Sequence, residues 1–83
     1  MSSLPAISGK KLIKLLAKDG WINKRKTTHG ISLYKKHKDR TRVTIIPNKS
    51  DDLPKGTLSA ILGPKQTNIG REGLEELIDK YGI

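Results

Sequence analysis

A chain of 83 residues, 34% of them hydrophobic, can build one modest core but not a second domain or a deep enclosed cavity. It has no cysteine, which excludes disulfides and a Cys-ligated zinc, and no apolar run approaches the roughly 20 residues that span a bilayer. The net charge of +9 points to an anionic partner, and its distribution is uneven: residues 1–50 hold 13 of the 17 Lys and Arg against Asp19 and Asp39, whereas residues 51–83 hold four basic and six acidic residues.

The start Met1-Ser2-Ser3-Leu4-Pro5 lacks a charged segment followed by an apolar one, so no signal peptide is expected. The expectation is a single domain over residues 1–83, working in the cytoplasm. Ile7-Ser8-Gly9 reads as a helix start, with Ser8 as N-cap and Ile7 placed to pack on Leu12. Leu12, Ile13, Leu15 and Leu16 then form an apolar stripe at helical spacing, with Lys10, Lys11, Lys14 and Lys18 on the wet side. A membrane-surface helix and a core-facing helix both fit this pattern; the short stripe favours the core. Gly20 suits the left-handed residue that closes such a helix.

Trp21 and Ile22 open the first strand. A tryptophan directly after a helix-ending glycine is expected beneath that helix rather than stacked on a base. The strand runs into Lys24-Arg25-Lys26-Thr27-Thr28-His29-Gly30, where one imidazole follows three cations and two hydroxyls. Histidine is the side chain that most readily exchanges a proton near neutral pH, and the neighbouring cations attract a phosphodiester and the charge that develops when it is attacked. The segment thus carries the ingredients of a minimal ribonuclease site, or simply those of a basic hairpin with a surface histidine.

A second strand is expected from Gly30 to His37, with Ile31 and Leu33 on one face and Ser32, Tyr34 and Lys36 on the other. Strict alternation sets His29 on the face of Ile31 and Leu33. Either His29 lies at the entrance of the strand or Gly30 carries a bulge that resets the register. Lys38-Asp39-Arg40 is a polar turn, His37 beside it is solvated, and Thr41 to Ile46 is a β-branched third strand ending at Pro47. Two histidines and no cysteine offer no metal site, and no cofactor is expected.

Residues 48–52 form a loop, and Pro54 suits the first turn of a second helix with Thr57, Leu58, Ala60, Ile61 and Leu62 as its buried stripe, stopped by Gly63-Pro64. Residues 65–69 are a polar linker. A third helix is expected over about 71–81, with Leu74, Leu77, Ile78 and Tyr81 on one face; it either completes the core or serves the partner or a second copy of the chain. The fold class is α+β, with the order α-β-β-β-α, a three-stranded antiparallel sheet with helices on one face, and an appended C-terminal helix.

With the helix Ser8–Lys18, the Gly20-Trp21 junction, the basic run ending in His29, the strand ending in Pro47 and Leu53-Pro54-Lys55-Gly56-Thr57-Leu58 in place, residues 8–63 resemble the HicA-type mRNA interferase toxins. The segment 70–83 lies beyond that resemblance. The resemblance implies a fold similar to the double-stranded-RNA-binding domain, cleavage of messenger RNA by a histidine, and a HicB-type antitoxin. Carried over by position, His29 matches the catalytic histidine, Thr28 its preceding hydroxyl and Lys24 a basic residue. Thr27 stands where the family has glycine, and Lys49 where it often has a second histidine.

The chemistry expected is metal-independent cleavage through the neighbouring 2′-hydroxyl, with His29 as acid–base group. Lys24, Lys26 and Lys35 hold the phosphate, and Arg25 and Thr28 complete the RNA-binding set. A non-catalytic RNA-binding module is the rival reading, although Lys55 is the only cation at the start of the second helix. A basic structural protein docked on an acidic partner is a third. The antitoxin is expected to cover Lys24, Lys26 and His29; the chain is a monomer alone or a hetero-oligomer with it, and no membrane is involved.

Overall fold

The structure, a computed structural model, describes residues 4–38 and 40–82; residues 1–3, Asp39, which falls in the expected polar turn, and Ile83 lie outside the description. The elements are α1 (Gly9–Lys18), β1 (Ile22–Thr27), β2 (Gly30–Lys36), β3 (Thr41–Ile46), α2 (Lys55–Leu62) and α3 (Gly70–Tyr81). The strands form one antiparallel sheet in the order β1-β2-β3. This is the α-β-β-β-α order with an added C-terminal helix that the sequence pattern predicts.

Helix α1 begins where its capping chemistry says it should. Ser8 is extended, and its hydroxyl accepts from the Lys11 amide at 3.2 Å, satisfying one of the helix's free donors. At the other end Gly20 takes φ +98°. The Trp21 amide then donates to the Leu16 carbonyl and the Gly20 amide to the Ala17 carbonyl, a paired closure that sends the chain back under the helix. Trp21 is accordingly buried, together with Ile7, Leu12, Leu15 and Leu16.

Sheet and helices meet on one face. Alternation along β2 turns Ile31 and Leu33 into the core with Ile46 of β3, while Tyr34 on the other face is half-buried. From α2 the core takes Leu58, Ile61 and Leu62. Ala60, expected in that stripe, is exposed, and Thr57 is only half-buried, because an eight-residue helix turns a single narrow face to the sheet.

The segment after α2 is more than a linker. The Thr67 amide and hydroxyl both donate to the Ile61 carbonyl, the Asn68 amide donates to the Gly63 carbonyl, and Arg42 Nη1 donates to the Pro64 carbonyl at 2.8 Å. The Thr44 hydroxyl reaches the Gln66 side-chain amide. These bonds fasten residues 64–68 to β3 and to the end of α2 and lead into α3, whose Leu74 and Leu77 are buried in the same core. The Tyr81 hydroxyl donates to the Lys18 carbonyl at 3.0 Å, tying the end of α3 to the end of α1. The apolar stripe of α3 therefore packs within its own chain.

Two stability predictions follow from this packing. Leu74→Ala, which empties a fully buried site, is expected to cost about 2–5 kcal/mol in urea unfolding; a loss below 0.5 kcal/mol, in a range typical of surface positions, contradicts the packing of α3. Gly30 has φ +143°, and a Cβ there overlaps the Ile46 carbonyl oxygen. Gly30→Ala is expected to lower stability by about 2 kcal/mol or more, and unchanged unfolding would show that this approach is not tight.

Candidate active site

The strands β1 and β2 are joined by the two residues Thr28 and His29, since Thr27 pairs with Gly30. His29 is therefore a turn residue, exposed beyond the ladder, and the question of which sheet face it takes does not arise. No bulge falls at Gly30. The register instead shifts between Asn23 and Arg25, which leaves Lys24 as the extra residue on β1.

Thr27 fixes the turn. Its hydroxyl donates to the Gly30 carbonyl at 3.0 Å and accepts from the His29 amide at 3.2 Å, so one side chain ties both ends of the loop. Asn68 is the only described non-glycine residue with positive φ. Thr27 thus needs none of glycine's freedom; in this hairpin that freedom falls to Gly30.

The turn lies against the end of β3. Ile31 pairs with Ile46, so Pro47 and the loop after it run beside Gly30 and His29. The result is an open cleft of about 250 Å³ lined by Lys26, Thr27, Thr28, His29, Gly30, Pro47, Asn48 and Lys49. Its two cations, Lys26 and Lys49, come from opposite walls with the imidazole in the same cleft. Lys49 is held from behind: its carbonyl accepts from the Lys10 amide at 3.1 Å and its amide donates to the Pro47 carbonyl at 3.0 Å. On its other side His29 borders a shallow depression reaching Gly56, Thr57 and Ala60 along α2. An exposed imidazole with an ammonium on each wall can bind an anion and move a proton at it.

The expected site residues separate into three places. Lys26, Thr28 and His29 share the cleft. Lys24 and Arg25 lie on the sheet face that the helices leave open: Lys24 borders a hollow with Ile22, Tyr34 and Val43, and Arg25 pairs with Ser32. Lys35 stands apart from both places. It is about 17 Å along β2 from Gly30, where its ammonium donates to the Asp19 carbonyl at 2.8 Å and stands 3.4 Å from the Asp19 carboxylate. Lys35 neutralises the C-terminal end of α1, and the odd-numbered alternation with Ile31 and Leu33 gives the reason.

Sequence reasoning left Lys49 out of the site. The signal that finds it is the β2–β3 register: counting back from the pairing of Lys36 with Thr41 sets Pro47 beside Gly30 and the residues after it beside His29. Trp21, expected beneath α1, is there. Its indole N–H is buried with no partner among the described residues, and its ring meets that of the exposed His37 edge-on at 6.3 Å. Among the described residues no three His, Asp or Glu side chains gather around a point that could hold a metal ion, and no helix is long and apolar enough to cross a membrane.

Residues 9–69 match the profile of the family described as "HicA toxin of bacterial toxin-antitoxin". The match spans α1 to the loop before α3, past the Gly63 limit suggested by sequence pattern alone. No curated protein and no solved structure matches the chain. With the family profile covering well over half of its 83 residues, the chain belongs to the HicA toxins, the toxin half of a toxin–antitoxin pair that implies an antitoxin as partner.

Proposed function

We propose that this toxin is a ribonuclease that cleaves messenger RNA by acid–base chemistry at His29, and that a HicB-type antitoxin silences it by covering that histidine. The observation that carries the reading is the cleft itself: one exposed imidazole, its turn tied by the Thr27 hydroxyl, between Lys26 and Lys49. The His29 imidazole takes the proton of the 2′-hydroxyl next to the scissile phosphate. The 2′-oxygen bonds to phosphorus and the P–O5′ bond breaks. One fragment then ends in a 2′,3′-cyclic phosphate, and the departing 5′-oxygen takes a proton from water, to which the cleft is open. Lys26 and Lys49 stabilise the charge on the phosphoryl oxygens as the transition state forms. The reaction needs no metal, and the 2′-hydroxyl nucleophile restricts it to RNA. Messenger RNA as substrate places the activity in the cytoplasm.

Single-stranded RNA incubated with the purified protein in chelator is expected to yield fragments with cyclic-phosphate ends. His29→Ala is expected to slow that cleavage by about 10²–10⁴-fold while leaving the unfolding curve unchanged, because the side chain is exposed. RNA that is retarded but intact would make the protein a binding module. A folded His29→Ala variant that cleaves at the wild-type rate would remove the histidine from the mechanism.

The cleft is shallow, and among the described residues no segment closes over it. Silencing therefore requires a second protein, and Lys26 and Lys49 beside His29 favour an acidic one. The toxin alone is a monomer in this reading, and the silenced form is a hetero-oligomer. Association in stopped-flow mixing is expected to slow at least about tenfold between 50 and 500 mM salt. An association rate indifferent to salt would mean that apolar contact rather than charge brings the two together.

A further inference from the structure

Apart from the His29 cleft, the surface feature that the proposed chemistry leaves unused is the open face of the sheet. Ile22 pairs with Tyr34 and Tyr34 with Val43, so these three side chains form one row across all three strands. Ile22 is 52% exposed and Val43 43% exposed, an unusual degree for β-branched residues in a sheet. With Asn23, Lys24 and Thr41 they line a hollow of about 410 Å³ that has the half-buried Tyr34 in its middle strand.

The strands that build this row carry charge of one sign. None of the three strands contains a carboxylate, and cations flank the row at both ends. Lys36 lies two residues beyond Tyr34, with Arg25 and Lys24 on the other side. The β1 bulge produces that second pair. Simple alternation would send Lys24 and Arg25 to opposite faces; the extra residue leaves both on the open one. An aromatic ring in an apolar row with cations on either side is the arrangement by which proteins hold single-stranded nucleic acid, with a base on the ring and phosphates on the cations. Asn23 and Thr41 add donors and acceptors at the rim for the edge of a base.

Resting on the ribonuclease reading, we propose that the open sheet face is the track of the single-stranded RNA substrate, with one nucleobase stacked on Tyr34 between Ile22 and Val43. Tyr34 lies four residues along β2 from Gly30, about 13 Å, a separation that a few nucleotides of the same strand span. The strand then reaches the His29 cleft from the β1 side, with Lys24 and Arg25 on its path. An acidic protein segment is the competing occupant; the aromatic ring and the polar rim favour a base.

The test uses a 2′-O-methylated single-stranded 12-mer, which lacks the 2′-hydroxyl nucleophile and stays intact whether or not the protein is a ribonuclease. Fluorescence anisotropy is expected to show wild-type binding, a loss of about 5- to 150-fold for Tyr34→Ala, and binding within about twofold of wild type for Tyr34→Phe, which keeps the ring. Val43→Glu, at an exposed position, is expected to weaken binding as well, and it decides the matter should Tyr34→Ala fail to fold. Absence of wild-type binding, or folded Tyr34→Ala and Val43→Glu variants that bind as wild type does, overturns the proposal. Variants that keep the 12-mer but lose the antitoxin overturn it too and make the face a protein dock. If the 12-mer binds through Tyr34 while unmodified RNA is left uncut, the track stands and the ribonuclease reading falls. Cleavage with no effect of Tyr34 on binding gives the reverse.

Discussion

The end of β3 runs between two glycines, and the candidate site depends on that close approach. A Cβ on Gly9, the first residue of α1, would overlap the Pro47 carbonyl, and one on Gly30, beside the hairpin turn, would overlap the Ile46 carbonyl. Neither position has room for any other residue unless the backbone moves. The helix start and the hairpin turn are thereby clamped on opposite sides of one two-residue segment. The loop beyond it is stitched to the same helix: the Lys10 amide donates to the Lys49 carbonyl, the Leu53 amide to the Ile7 carbonyl, and Ser8 bridges to Asp52. The cleft walls are thus backbone held at several points, while the side chains that would act in it project freely. That division between a rigid frame and exposed functional groups suits the proposed substrate, a large anionic polymer, which an open cleft can admit.

Much of the frame is visible in the sequence because its signals are local. Ser8, Gly20 and the spacing of Leu12, Leu15 and Leu16 define α1 without reference to anything else. The alternation of Ile31, Leu33 and Tyr34 and the β-branched run before Pro47 define two of the three strands. What is not legible depends on geometry between elements. The bulge at Lys24 follows from how β1 meets β2, and no residue type marks it. Lys35 looks like one more cation of a basic hairpin until the sheet sets it against the end of α1. Thr67 reads as a polar linker residue, yet it is buried because both its amide and its hydroxyl reach the Ile61 carbonyl. Lys49 is far from His29 in sequence and joins it only through the β2–β3 register.

The two halves of the chain divide their work by charge. The strands carry six cations and no carboxylate, so the hairpin, the cleft and the open face form one continuous attraction for an anion. The acidic residues of α3, namely Glu72, Glu75, Glu76 and Asp79, belong to the helix that closes the core on the far side of the sheet. Helix α3 secures the fold through Leu74, Leu77 and the Tyr81–Lys18 bond without adding negative charge to the sheet surface.

The central claim is that Lys26, His29 and Lys49 form one anion-binding cleft rather than three separate surface charges. Nuclear magnetic resonance of the isotope-labelled protein, titrated with a 3′-mononucleotide as a mimic of the cleaved end, tests it most directly. The account predicts that the His29 ring resonances and the amides of Thr28, Gly30 and Lys49 shift together along a single saturable curve, while those of Lys10, Lys14 and Lys18 on α1 stay in place. Small, unsaturated shifts spread evenly over all the lysines, with His29 unmoved, would contradict it.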